Sequence, residues 1–392
     1  MDITLKRSEL SDVVNRAAAI APSASVLKEL EGVLLETNAA TGTLTVTATN
    51  LEITLEQRLS CETDEDDALV AGAGLFQAML KRLAGDTVTL RRQTGANTLT
   101  VTCGDAEYHI PVLERKSFPN TEVAFPDDTV PVTGIPALVR RSTFAVSARD
   151  DNALLKCVNL RFTRDGLMAV GSDGMRLVST KGDKKSTGDI SLLVLATSLN
   201  VLARISTDKD EYRVGHTGKS IVFSKPDLLF TARVVEQEYI DTDRIVGSVK
   251  NAFTVLTDIA DLRRALLYVN AADPEGYVRL LFQGTKLIFY AAGAFGAANT
   301  AIEVTPLIGA PSGEYWQNAR KLDDCLRVLS GTATLGMAQG GILTLSTEES
   351  FYFQQSVRPP QRKPKPQQET PKAEETAKAK EKVKNRRSKK AA

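Results

Sequence analysis

At 392 residues the chain is too long for one ordinary core and fits two or three domains, and its hydrophobic fraction of 42% and charged fraction of 25% are those of a soluble globular protein. A single Trp and an aromatic content of 6% argue against recognition of single strands on stacked aromatic platforms. The net charge of +1 hides a division: residues 361–392 hold 12 Lys+Arg against 4 Asp+Glu, which leaves 37 against 44 in residues 1–360. A mildly acidic body cannot coat DNA by bulk charge, so any contact with phosphates must come from a local arrangement of cations.

In chain order, three segments open with a short strand pattern that passes straight into an amphipathic helix: ITLKRSELSDVVNRAAAIA from Ile3, VPVTGIPALVRRSTFAVSA from Val130 and FTVLTDIADLRRALLYVNA from Phe253. Their starts lie 127 and 123 residues apart. The helical spacing of Leu10, Val13, Val14 and Ala17, of Ile135, Leu138 and Val139, and of Ile259, Leu262 and Leu266 predicts one buried face on each. Each opening is followed by alternating or apolar strand runs and by a second helix pattern (GLFQAMLKRLAG, TSLNVLARIS, ARKLDDCLRVLSG), and more strands close the unit. Each unit of about 120 residues is thus a doubled strand, helix and strand module. The boundaries expected are 1–124, 125–248 and 249–358, with a tail over 359–392.

The six helices share one feature on the face opposite their first apolar anchor. After Leu10 stands Arg16; after Leu75, Lys81; after Ile135, Arg140 and Arg141; after Leu199, Arg204; after Ile259, Arg264; after Leu322, Arg327. Single cations on exposed helix faces are commonplace. Six of six at equivalent places predicts a common positive surface, suited to phosphates and indifferent to bases.

Other chemistry is sparse. Cys61, Cys103, Cys157 and Cys325 stand apart, with no CxxC pair and only His109 and His216 as histidines, which predicts reduced thiols and no zinc site. There is no phosphate-binding glycine loop and no nucleophile with an evident base, so no enzyme, metal or cofactor is expected. No charged segment with an apolar run opens the chain, and no apolar stretch approaches the ~20 residues of a membrane span, so a cytoplasmic protein is expected.

Four segments, ATNLEITLEQRL (48 to 59), LERKSFPN (113 to 120), GSDGMRLVST (171 to 180) and FTARVVEQEYIDTDRI (230 to 245), carry a resemblance to the bacterial DNA polymerase III beta subunit family, the sliding clamps. The resemblance covers roughly residues 1–358. It implies an α+β fold of three repeated clamp domains, with two sheets outside and two helices inside each. It implies a crescent that pairs head to tail with a second copy as a ring around double-stranded DNA. It also implies loading by a clamp-loader ATPase and docking of DNA polymerase and repair proteins through short linear motifs.

By position, the family's docking pocket falls on Leu155, Ser172, Gly174, Met175, Arg176 and Leu177, with Ile240, Arg244 and Ile245 as a wall and Asn318, Phe353 and Val357 from the third domain. Departures stand at Met175, Ile240 and Lys321, where the family commonly has histidine, proline and tyrosine, and in the run Phe353-Gln354-Gln355-Ser356, so a partly rewritten pocket with an altered peptide preference is expected. The family's ring interface falls on Tyr108 and Ile110 against Tyr268 and Val269, and its DNA-near loops on Lys28 and Arg149. Residues from about Pro359 have almost no large apolar side chains and end in the cluster Lys384, Arg386, Arg387, Lys389 and Lys390, the composition of a disordered basic tail. The alternative reading of the whole chain is an architectural DNA-binding protein that does not encircle its ligand.

Overall fold

The computed structural model describes residues 1–93, 95–148, 152–273, 276–293 and 296–358, and residues 1–357 form one compact unit. The first repeat opens with strand Asp2–Lys6, whose alternation sends Ile3 and Leu5 inward, and runs into helix α1 (Arg7–Ala18). Strands Gly32–Asn38, Thr43–Thr49, Ile53–Ser60 and Asp67–Gly72 follow, then α2 (Ala73–Leu80), then Thr87–Arg91, Thr98–Cys103 and Ala106–Glu114. The second repeat has the same plan, with α3 (Ile135–Thr143) and α4 (Ala196–Ile205). A short helix, α5 (Thr242–Ser248), links it to the third, which carries α6 (Ile259–Asn270), α7 (Ala319–Val328) and one additional strand, Thr305–Ile308.

The helices pack in pairs, α1 with α2, α3 with α4 and α6 with α7. Their buried stripes are those expected from the periodicity, with one correction. Leu75 is 55% exposed. Because α2 starts at Ala73, directly out of its strand, its core stripe is Ala73, Phe76, Met79 and Leu80, and Leu75 falls about 40° beyond its edge at Met79. The Asp258 side chain caps α6 by accepting from the amides of Ala260 (2.8 Å) and Asp261 (3.4 Å).

Sheets run across the repeat boundaries. Ile53–Ser60 of the first repeat pairs antiparallel with Leu228–Arg233 of the second, placing Leu55 opposite Phe230. Arg176–Lys181 of the second pairs likewise with Ser350–Gln354 of the third, placing Val178 opposite Tyr352. The result is a twelve-stranded and a nine-stranded sheet, with a separate four-stranded sheet in the third repeat. Register makes the repeats comparable residue by residue: the last strand of each carries an aromatic at its third position, Tyr108, Phe230 and Tyr352, at intervals of 122 residues. Phe230 and Tyr352 are fully buried, whereas Tyr108 is 37% exposed.

One apolar core spans the first two repeats and a second fills the third. Cys103, Cys157 and Cys325 are buried and Cys61 is half-buried, all with free thiols. Burial pushes the Cys157 thiol up to about 11, away from the reactive thiolate. Among the described residues no helix is long and apolar enough to cross a membrane, and no three His, Cys, Asp or Glu side chains are grouped to hold a metal ion.

Candidate functional site

At the junction of the second and third repeats, Leu177 stands opposite Phe353 across the shared sheet, on the face away from the helices. With Val170 they form an apolar cluster separate from the two cores, flanked by half-buried Met168, Tyr239, Ile245, Val246, Ile342 and Phe351. Tyr239 and α5 wall the cluster, and α5 is started by Asp241, whose carboxylate accepts from the Arg244 amide at 3.0 Å. Ile245 points into the cluster, Ile240 is half-buried beside it, and Arg244 is exposed.

The turn Ser172–Arg176 forms the rim. Ser172 Oγ donates to the Arg176 carbonyl (2.8 Å) and accepts from the Gly174 amide (3.2 Å), while Asp173 Oδ1 accepts from the amides of Met175 (2.9 Å) and Arg176 (3.0 Å). Gly174 has φ +82°, which suits glycine, and Met175 beside it is 42% exposed. From the third repeat, Asn318 caps α7 by accepting from the Lys321 amide at 3.0 Å, and the Val357 amide donates to the Trp316 carbonyl at 3.0 Å. Leu155 lies in a 3-10 turn with its carbonyl accepting from the Ser147 amide, half-buried and outside the apolar cluster.

Arg176, placed by position in the docking pocket, is buried under the rim. It is 6% exposed, and its guanidinium binds Asp173 Oδ2 (3.1 Å), Asp324 Oδ2 (3.0 Å) and the Lys321 carbonyl (3.1 Å), donates to the Phe144 carbonyl, and lies over the Phe144 ring. Lys321 Nζ joins the same group at 2.6 Å from Asp173. Five donors in a planar fork suit such a hub, which bolts the rim turn to α7. The sequence reading missed Val170, Met168, Tyr239, Val246, Ile342 and Phe351. The signal available was the near-continuous apolar run of GLMAVGS, typical of a strand covered on both faces.

The first junction carries no such cluster among the described residues. Its register puts Thr54 opposite Thr231 where the second junction has Leu177 opposite Phe353, and Thr45, Thr47 and Glu56 stand where Met168, Val170 and Ser179 stand. The corresponding outer face holds a cavity of about 750 Å³ of mixed lining, with Glu56, Arg58, Glu122, Glu211 and Arg213 beside Val123, Phe125, Pro226 and Leu229.

The cations of the helix faces divide into two sets. Lys81, Arg140, Arg204, Arg264 and Arg327 are exposed. Arg140 reaches Asp208 (3.4 Å), Arg264 reaches Asp261 (2.5 Å), and Arg327 (2.7 Å) shares Asp323 with Arg263 (2.9 Å). Burial works against the Asp323 carboxylate, but the hydrogen bonds from Arg327 and Arg263 outweigh it and hold its pKa below the usual range. Arg16 is half-buried, with Nη1 3.4 Å from the Gln57 side-chain oxygen. Arg141 is turned away to pair with Glu349 and to donate to the Lys181 carbonyl, tying α3 to the third repeat instead of presenting a free charge. Lys28 is exposed and pairs with Glu31 at 2.9 Å. Arg149 and the basic tail lie outside the described residues.

Among the strands with an open side are one in the first repeat and one in the third. Residues 106–111 pair with Thr98–Cys103 only, since the bridge to Asp67–Gly72 begins at Val112. Gly296–Glu303 is the terminal strand of the four-stranded sheet. Leu75 and Tyr108 are exposed in the first repeat, and Leu267 (45%) and Tyr268 (64%) on α6, which packs against Gly296–Glu303. Two interface residues expected from the sequence are corrected: Ile110 is 3% exposed and Val269 is fully buried. Ile110 shares the core-facing side of its strand, and Val269 belongs to the inner stripe of α6 with Leu262 and Leu266.

The family profile described as DNA polymerase III beta subunit, N-terminal domain, matches residues 1–122, and that of the central domain matches residues 129–241. The chain is 23% identical to the beta sliding clamp of Synechococcus elongatus over 255 residues, 63% of this chain and 68% of that protein, and 22% identical to the beta sliding clamp of Bacillus subtilis over 259 residues, again 63% and 68%. The crystal structure of the DNA polymerase III subunit beta from Pseudomonas aeruginosa superposes with a TM-score of 0.84 at 20% identity, covering 92% of this chain and all of that one. A putative DNA polymerase III beta subunit from Eubacterium rectale gives 0.85 at 16% identity, covering 91% and 100%. The chain belongs to the DNA polymerase III beta subunit family.

Proposed function

We propose that this protein is a DNA sliding clamp: two copies join head to tail around duplex DNA, and the ring tethers a polymerase and other DNA-processing proteins. It works as a scaffold in the cytoplasm without chemistry of its own, and a clamp loader opens it. The observation that carries this reading is the pairing rule of the repeats. Within the chain, the third hairpin strand of one repeat pairs with the last strand of the next, twice, and the rule leaves over one strand of each kind, Gly296–Glu303 and Ala106–Glu114. A rule with unlike ends left over is a heterologous interface, which closes as a ring when the rotation permits. By the registers of the internal junctions, Tyr108 of one copy stands opposite Ala298 of the other, as Phe230 stands opposite Leu55 and Tyr352 opposite Val178.

The exposed cations Lys81, Arg140, Arg204, Arg264 and Arg327, with Arg16, Lys28 and Arg149, then contact phosphates inside the ring. The apolar cluster around Leu177 and Phe353 takes the apolar anchors of partner segments, with Met175, Gly174, Asn318 and Val357 on its rim. Domain limits of 1–124, 125–248 and 249–358 follow the repeats.

The test is retention on nicked circular DNA, with a matching clamp loader and ATP, before and after linearisation. Retention on circles and loss from linear ends is expected. Equal retention on both would replace the clamp with an architectural protein bound to the duplex surface.

A further inference from the structure

The apolar cluster does not end at its own rim. Tyr239 packs in it and also lines a second groove of about 340 Å³, between the edge strand Ile190–Leu195 and residues 234–239. Ile190–Leu195 is the terminal strand of the nine-stranded sheet. Its outer edge is engaged only near its end, by the bridge of Val194 to Val234 and the Val235 amide donating to the Leu193 carbonyl at 2.8 Å. The edge of Ile190–Leu192 is therefore left for another extended chain. In the first repeat the matching seam is closed by three paired residues, 69–71 with 112–114, and is plugged by Phe118, fully packed on Leu34 and Val70. The second repeat has Asn159 and Leu193 where Leu34 and Val70 stand, the 122-residue interval puts Ile240 in the place of Phe118, and Tyr239 beside it packs on the apolar cluster, so this seam holds an open groove.

The charge on this groove has one sign. Glu236 and Glu238 line it, are exposed, and have no ion-pair partner among the described residues. Lys219 is exposed nearby, with its carbonyl accepting from the Val234 amide, but the groove wall there is formed by Gly218.

We infer that the docking site extends past the apolar cluster into this groove, and that it selects extended partner segments in which basic residues flank the apolar anchors. The inference rests on the cluster being the docking site. The occupant is an extended peptide because the groove runs from that cluster along an open strand edge, and a basic one because the unpaired, exposed Glu236 and Glu238 give the groove a negative potential that favours cationic side chains.

Fluorescence anisotropy of the full-length protein with three labelled decapeptides tests it: Leu and Phe anchors with neutral flanks, the same with two lysines before the anchors, and the same with two lysines after them. One lysine-flanked peptide is expected to bind roughly five-fold tighter than the neutral one at low salt. That advantage should vanish in Glu236→Gln/Glu238→Gln, with the neutral peptide unaffected. Equal affinities of all three peptides, or an advantage that survives the double substitution, would overturn the extension while leaving the cluster as the docking site. Binding of the neutral peptide that is absent, or unchanged in Phe353→Ser, would instead remove the docking reading itself.

Discussion

Asp67 is a nearly buried carboxylate held between Arg92, whose Nε lies 3.0 Å from Oδ2, and the N-terminal ammonium at 3.2 Å. Burial raises its pKa, and the hydrogen bonds from Arg92 and the ammonium overcome that and leave it lowered. A carboxyl whose folded pKa is depressed stabilises the fold above its unfolded value, ordinarily ~3.9, and loses that contribution as pH falls through the folded value. Asp67→Asn should therefore cost about 3 kcal/mol in urea unfolding at pH 7, because it strands a buried guanidinium, and the gap to the parent should narrow at pH 3. A gap independent of pH would assign the loss to packing. Arg176 teaches a related lesson: DGMRL is visible in the sequence, but its burial depends on Asp324 and the Phe144 carbonyl, 148 and 32 residues away along the chain.

Among the helices, the 3.6-residue period gave both the buried stripes and the opposing cations. It could not say which cations stay free, since that depends on neighbours such as Glu349 for Arg141 and Asp208 for Arg140. Lys81 and Arg204 are exposed with no ion pair among the described residues, so they are the clearest probes of phosphate contact. Replacing both by Ala should reduce the salt slope of DNA binding by about 2, with stability unchanged. An unchanged slope would place these faces away from the DNA. Helix α5 escaped the sequence reading because its seven residues are shorter than a periodic pattern can show, although its Asp241 cap was available.

For the whole molecule, the equivalence of Tyr108, Phe230 and Tyr352 sets the expectation. The two internal aromatics are fully buried in the cores, and burying Tyr108 as completely is worth on the order of 2 kcal/mol per interface. Tyr108→Glu should shift sedimentation from dimer to monomer without lowering the unfolding temperature of the monomer. A variant still fully dimeric would show that the open edges are not the interface. Removing residues 361–392, with their excess of basic charge, should weaken DNA association at low salt and reduce its salt slope. Unchanged binding would leave the tail without a DNA role.

The sequence by itself determined the repeats, the paired helices, the inner and outer faces of most elements and the family, because each is written in local periodicity and turn chemistry. The resemblance pointed to Leu177 and Phe353, and only the tertiary structure showed what they form together. Leu177 and Phe353 lie 176 residues apart and join one apolar cluster only through cross-repeat pairing, while Thr54 and Thr231 stand at the equivalent pairing. Ile110 and Val269 read as interface residues in the sequence and are core in the single chain: Ile110 lies two residues beyond Tyr108 on the same strand face, where the core covers it, and Val269 is a fraction of a helical turn from Tyr268. Register and packing between distant segments settle those choices, and no local pattern encodes them.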